Sequence, residues 1–400
     1  MSESGPWLFA VWRRRGWRWH VAMSGLGLIL AVTLLVLTSV VVAASKPGNE
    51  SFSAKWADTL RDNHASFIVT PLEDWYFTRA QPAKGGRPAG INQIPGVKLP
   101  TAPSTPDTAV TPATTVPAPT HLAPPRAVEL VVAPPLDNEG KWLPAGPTIT
   151  GVPGMYVAQF RADSVYTGQI TTAAWIDPLL LRVRLNPGDG EPGGSWSVAP
   201  AITGDALKTI VAAFNGGFRF KEAQGGFYFD GREAVPLRDG AASMVIAKDG
   251  HINVGKWGSD VSMAPGTEGV LQNLTLLVDG GQIDASVSHN DTRAWGATLK
   301  GSIAVARSGI GVTSDGALVY VAGPALTART LAESLQRAGA VRAMTLDINP
   351  QWVTFNLFDH PNPGDPAEIT GAKLYPQMQR PANRYLSTES RDYFTVSLRG

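Results

Sequence analysis

The stretch Val21–Ala44, VAMSGLGLILAVTLLVLTSVVVAA, runs for 24 residues without a charge. As a helix rising about 1.5 Å per residue it crosses a hydrocarbon layer of about 30 Å. That run decides what the rest of the chain can be, because everything after it must fold on one side of a bilayer or be cut free of it. Arg13, Arg14, Arg15 and Arg18 precede the run, and only Lys46 closely follows it. This asymmetry predicts a cytoplasmic N-terminus and an extracytoplasmic remainder. Trp12, Trp17 and Trp19 suit the headgroup level. The small residues of VVAAS offer a cleavage site, but the apolar run exceeds the roughly 7–15 residues of a secretory signal. The reading is therefore an uncleaved single-pass anchor.

Five segments follow from composition: a basic N-terminus (1–20), the transmembrane helix (21–44), a juxtamembrane segment (45–80), a linker (81–125) and a folded domain (126–400). Ser51–Phe77 carries helical signals, with Trp56, Leu60 and Phe67 among charged residues. The linker, in LPTAPSTPDTAVTPATTVPAPTHLAPP, has almost no large apolar side chain and reads as a semi-rigid spacer. The net charge of +1 argues against nucleic-acid binding, and no basic stripe follows the first twenty residues. The absence of cysteine excludes disulfides, thiolate metal sites and thiol nucleophiles.

The last 275 or so residues alternate apolar strand signals (AVELVV, MYVAQF, LLLRVRL, SMVIA, HINVG, LTLLV, SIAVA, ALVYVA) with six Asp-Gly turns at Asp189, Asp230, Asp239, Asp249, Asp279 and Asp315. VIAKDGHINV and GVTSDGALVYV read as hairpins. Two helices are expected. One is short, capped by Asp205 before LKTIVAAF. The other, ARTLAESLQRAGA, is capped by Thr327, stopped by Gly339 and apolar at Leu331 and Leu335. Many antiparallel strands with few packed helices predict an α+β domain.

Three polar points interrupt otherwise apolar strands. AAFNGGFRF sets Asn215, Gly216, Gly217 and Phe218 between apolar runs, a strong two-residue hairpin signal. Its glycines also allow a close approach to a ligand. Arg307 closes SIAVA, where a buried guanidinium needs a partner. Asp347 ends the strand VRAMTLD. Arg307 and Asp347 either pair with each other or line a pocket in which a guanidinium, a carboxylate and the glycine N–H groups meet substrate. His251, His289 and His360 are too scattered for a zinc site. No cofactor is called for; a divalent cation stays open, since oxygen ligands leave no sharp spacing.

In order, AAFNGGF, GGFYFDGREAV, SMVIAKDG, AVARSGIGVTSDGALVYVAG and TARTLAESLQRAGAVRAMTLD resemble the phosphodiester glycosidase family, the N-acetylglucosamine-1-phosphodiester alpha-N-acetylglucosaminidase or uncovering-enzyme domain. The resemblance covers roughly Phe160 to Phe355. It implies that Asn215, Gly216, Gly217, Phe218, Arg307 and Asp347 share a pocket, with Arg307 and Asp347 catalytic. One departure stands out. The family's closing Asp precedes a run of glycines and Ser/Thr, whereas this chain continues LDINPQWVTFN. Pro350 removes an N–H, Ile348 and Trp352 add bulk, and Asn349 and Gln351 offer amides to a sugar. Trp352 and Phe355 suit either stacking on sugar rings or a place in the core.

The resemblance thus implies an extracytoplasmic hydrolase of a sugar-1-phosphodiester or a cell-envelope glycan such as an exopolysaccharide. The alternative is a catalytically silent protein on the same fold that binds envelope glycan or a partner. A glycosidase needs a second carboxyl, for which Asp230, Glu233 and Asp291 are candidates.

Overall fold

The computed structural model describes residues 7–46, 48, 50–79, 82–88, 90, 91, 94, 120–288, 295, 296, 304–362, 365 and 368–399. The chain divides into two compact units. One holds 1–46 and 50–72; the other holds 47–49 and 73–400.

In the first unit a single helix runs Trp7–Ser45. Its stretch Met23–Ser45 is long and apolar enough to cross a membrane, and Leu28, Leu30 and Leu35 face outward. The juxtamembrane signals resolve into helices Phe52–Asp62 and Ser66–Arg79. Ser51 caps the first of these through Ala54 N–H (3.3 Å). The Trp56 indole donates to Ser39 Oγ (2.9 Å), and Lys46 pairs with Asp62 (3.0 Å).

The second unit is α+β, built on three large antiparallel sheets and one two-stranded ribbon, Thr148–Ile149 with Val152–Pro153. The largest runs in the order Leu143–Pro144, Met155–Phe160, Thr171–Ile176, Leu318–Leu326, Val305–Thr313, Ala340–Thr345, Leu276–Asp279 and Gln282–Ile283. A second orders Ile252–Lys256, Ala242–Ala247, Thr267–Gln272, Phe227–Phe229 and Arg232–Val235. The third orders Thr370–Lys373, Phe355–Asp359, Ile210–Asn215, Tyr393–Leu398 and Leu181–Asn186. Both expected Asp-Gly hairpins form.

One face of each sheet meets in a common core. Ile310, Tyr320 and Met344 come from the first sheet, Phe227 and Leu271 from the second, and Phe214, Phe355 and Phe394 from the third. The Phe214 ring lies at the centre, 5.5 Å from Phe355, 5.0 Å from Phe394 and 5.3 Å from Tyr320 between centroids. The opposite face of the largest sheet packs under the helix Ala328–Arg337 through Leu331, Ala332 and Leu335. As expected, Thr327 caps this helix, its Oγ1 accepting from Thr330 N–H while Thr330 Oγ1 accepts from Thr327 N–H (2.9 Å each).

Three local readings differ from what forms. AVELVV builds no strand: Val128 N–H donates once, to Gly140 O (2.8 Å). The element at Asp205 is a 3-10 turn, Gly204–Lys208, with Thr203 at its N-cap, and the chain then enters a strand directly. Contacts with the domain also begin ahead of Arg126. Gly85 N–H donates to Val165 O (2.6 Å), Gly168 N–H to Gly85 O (2.9 Å) and Leu122 N–H to the Asp177 carboxylate (2.7 Å).

Phe214→Ala is expected to destabilise the domain by about 3–5 kcal/mol in urea denaturation. A loss under about 1 kcal/mol would show that the three sheets do not converge on that ring.

Candidate functional site

Asn215 ends the strand Ile210–Asn215 and is buried where that strand leaves the core. Its Oδ1 accepts from Tyr320 Oη (3.0 Å) and Thr354 N–H (3.2 Å). Its Nδ2 donates to Gly216 O (2.7 Å) and Ser308 Oγ (3.1 Å). Both donors of the amide are therefore spent inside the protein. Ser308 passes the constraint on: its Oγ accepts from Asp347 N–H (3.2 Å), while its backbone N–H donates to Asp347 O (2.8 Å).

The chain after Asn215 makes no two-residue hairpin. Gly216 and Gly217 keep ordinary negative-φ or extended backbone, and a short helix, Phe220–Ala223, follows. Glycine is required at 216 for closeness rather than for turning. A Cβ there would overlap the Asp392 carboxylate and lie 2.7 Å from Asp392 O. The glycine N–H groups also point into the protein: Gly216 N–H donates to Asp392 O (3.2 Å) and Gly217 N–H to Asp392 Oδ2 (3.4 Å). Phe218 is buried, and its N–H donates to Asn273 Oδ1 (3.4 Å). Asn273 in turn donates to Thr345 O and Leu346 O (2.8 Å each), tying this loop to the strand that carries Asp347.

Arg307 and Asp347 do not pair. Side chains alternate along the strand Val305–Thr313: Ala306 and Ile310 face the common core with Ser308, which places Arg307 on the helix-covered side with Gly309. Its Nε donates to Leu326 O (2.9 Å) and its Nη1 to Trp295 O (3.3 Å). Burial pulls this guanidinium down to about 10.

The cation beside Asp347 is Arg391. Its Nη2 lies 3.2 Å from Asp347 Oδ2 and donates to Gly217 O (2.6 Å), while its guanidinium rests 4.4 Å from the Trp352 ring centroid. Arg380 and Arg384 also flank that ring, at 5.3 and 5.6 Å, and both pair with the buried Glu389. The bulk of Trp352, where a glycine run was the family expectation, thus forms a platform for arginines. Phe355 belongs to the core. Asn349 and Gln351 lie in the half-buried turn after Asp347. Asn349 Oδ1 accepts from Gln351 N–H (2.9 Å), and Gln351 Nε2 donates to Gln379.

Asp347 Oδ1 accepts from Ile348 N–H (2.8 Å) and Asn349 N–H (2.9 Å). Burial nevertheless pushes this carboxyl up to about 6, against the pull of Arg391 and those two donors. Asp230 and Glu233 are exposed around the turn between Phe227–Phe229 and Arg232–Val235. Asp291 and His289 lie outside the described residues. A buried carboxyl beside Gly216 and Gly217 that sequence reading missed is Asp392. Burial pushes it up to about 7, with Glu191 adding to the rise and Arg391 and a backbone donor opposing it. Among the described residues no three His, Asp or Glu side chains form a group that could hold a metal ion.

Residues 208–347 match the model of the phosphodiester glycosidase family. Among solved structures, the chain is similar to the catalytic domain of zebrafish N-acetylglucosamine-1-phosphodiester alpha-N-acetylglucosaminidase, auto-inhibited by its pro-peptide. That likeness is 16% identical with a TM-score of 0.40 and covers 64% of this chain and 87% of that one. A hypothetical protein from Synechocystis is 15% identical with a TM-score of 0.35, and 64% of each chain is covered. No curated protein matches the chain.

Both folded-state carboxyl values lie above the ordinary 3.8. Each group therefore supports the fold fully below about pH 4, and that support is lost as pH rises through about 6 for Asp347 and about 7 for Asp392. The Asp392→Asn chain has no proton to lose there. Its melting temperature relative to wild type is expected to move in its favour between about pH 4 and about pH 8; a gap that is constant across that range would contradict the assignment.

Proposed function

Because residues 208–347 match the phosphodiester glycosidase family model, we propose that the chain is a hydrolase acting at the anomeric carbon of a sugar. Its substrate is a sugar-1-phosphodiester or a cell-envelope glycan, and Asp347 is the reacting carboxyl. The observation that carries this reading is the setting of Asp347. It is a buried carboxyl two residues past the strand Ala340–Thr345, oriented by two backbone N–H groups and one guanidinium, with its proton affinity raised toward neutrality. Such a group exchanges a proton near pH 6, which suits acid–base work at a glycosidic centre.

The residues around it divide by what they touch. Arg391 holds one carboxylate oxygen, keeping the ionised form available despite burial. Asn215 and Ser308 fix the backbone of Asp347 and act as positioning residues. Arg307, held by carbonyls on the far side of its strand, supports the segment at Trp295. In this reading the Trp7–Ser45 helix anchors the protein in the membrane and the domain works outside the cytoplasm, on envelope material within reach of the anchor.

A second reading has its own observation. Both oxygens of Asp347 are already engaged, as they would be in a protein that keeps the fold to bind glycan without cutting it.

The full chain in detergent micelles, incubated with N-acetylglucosamine-1-phosphodiester and a panel of envelope glycans, separates the two. Sugar release is expected from the wild type, falling by about 10²–10⁴-fold in Asp347→Asn. Saturable binding without release would favour the binding protein, and full activity in Asp347→Asn would remove Asp347 from the reaction.

A further inference from the structure

Asp392 is 3% exposed, and its Oδ1 has no hydrogen-bond partner. Leaving a buried carboxylate oxygen unmatched is costly, while a protonated one has a donor to offer. The protein nevertheless builds around this side chain. Gly216 lacks the Cβ that would displace it, and Gly217 N–H holds its Oδ2. From the same residue, Gly217 O accepts from Arg391, whose Nη2 reaches Asp347 Oδ2. The two carboxyls thus flank one glycine and one guanidinium. The charged groups facing Asp392 are Arg391 and Glu191, and Glu191 is itself paired with Arg219 (3.1 Å).

We propose that Asp392 is the proton donor of this site and that the bond it serves joins a sugar to a hydroxyl rather than to a phosphate. This rests on the hydrolase reading above and narrows its substrate to an O-glycoside. A phosphate leaving group departs with little help, because its own second pKa is about 6. An alkoxide does not, and a general acid is what such a bond demands. In the step, a water gives its proton to the Asp347 carboxylate as its oxygen bonds to the anomeric carbon. The bond from that carbon to the leaving oxygen breaks, and the leaving oxygen takes both electrons of the bond and the Oδ1 proton of Asp392. Exchange with solvent returns the proton from Asp347 and restores that of Asp392.

The probes are the methyl and 4-nitrophenyl glycosides of the sugar that the full chain releases from the panel, together with its 1-phosphodiester. Asp392→Asn is expected to lower kcat on the methyl glycoside by about 10²–10⁴-fold and on the 4-nitrophenyl glycoside by less than about tenfold, since nitrophenolate leaves without a proton. If that variant does not fold, the wild type alone still decides. Its kcat on the methyl glycoside should fall above about pH 7 while that on the 4-nitrophenyl glycoside does not. Equal losses on both glycosides, or parallel pH profiles, would reduce Asp392 to a support for Gly217. Turnover of the 1-phosphodiester but not the methyl glycoside would overturn the substrate class. No sugar release from any substrate would overturn the hydrolase reading and this assignment with it.

Discussion

One buried amide, that of Asn215, ties two of the domain's sheets together. Asn215 belongs to the five-stranded sheet that ends in Thr370–Lys373 and Leu181–Asn186, yet its side chain bonds Ser308 and Tyr320 of the eight-stranded sheet and the backbone of Thr354. A half-satisfied amide there would leave a hydroxyl and a backbone N–H unmatched in a dry core. Satisfied, it fixes how the two sheets approach, and through Ser308 it fixes where Asp347 emerges. The aromatic stack on Phe214 supplies non-directional attraction, and the Asn215 amide supplies direction.

The same junction explains why the glycines follow Asn215. Register pairs Tyr393 with Asn215, so the residue before Tyr393 must pass beside the residue after Asn215. Asp392 fills the space that a side chain at 216 would take. Arg391, one residue earlier, reaches Gly217 O, Asp347 and the Trp352 face together. The residues just ahead of the strand Tyr393–Leu398 therefore complete a site whose other parts lie between Asn215 and Thr354.

Much of this was legible locally and little of it at long range. The hairpins at Asp249 and Asp315 and the Thr327 cap depend on neighbours within a few residues, and each forms as read; the strand read as ending at Asp347 forms over Ala340–Thr345 and stops two residues short of it. AAFNGGF carried a true signal with the wrong cause: glycine there answers a close approach by Asp392, which no local rule can announce. In sequence Arg307 reads as either pairing with Asp347 or lining a pocket with it, but the two-residue alternation turns Arg307 toward the helix and Ser308 toward Asp347. TESRDYF carries no motif of its own. Its Glu389, Arg391 and Asp392 are buried only because Arg384, Asp347 and Gly217 arrive from elsewhere to receive them. Asn273, one more polar residue near an apolar strand, gave no signal at all.

The central claim is that Asn215 holds the turn bearing Asp347 in place across the junction of the sheets. Amide hydrogen exchange of the full chain, compared between wild type and Asn215→Ala, tests it directly. The account predicts faster exchange at Asp347, Ile348, Asn349 and Thr354, with the helix Ala328–Arg337 keeping its protection. Unchanged exchange from Asp347 to Thr354, or loss of protection spread evenly over both sheets and the helix, would contradict it.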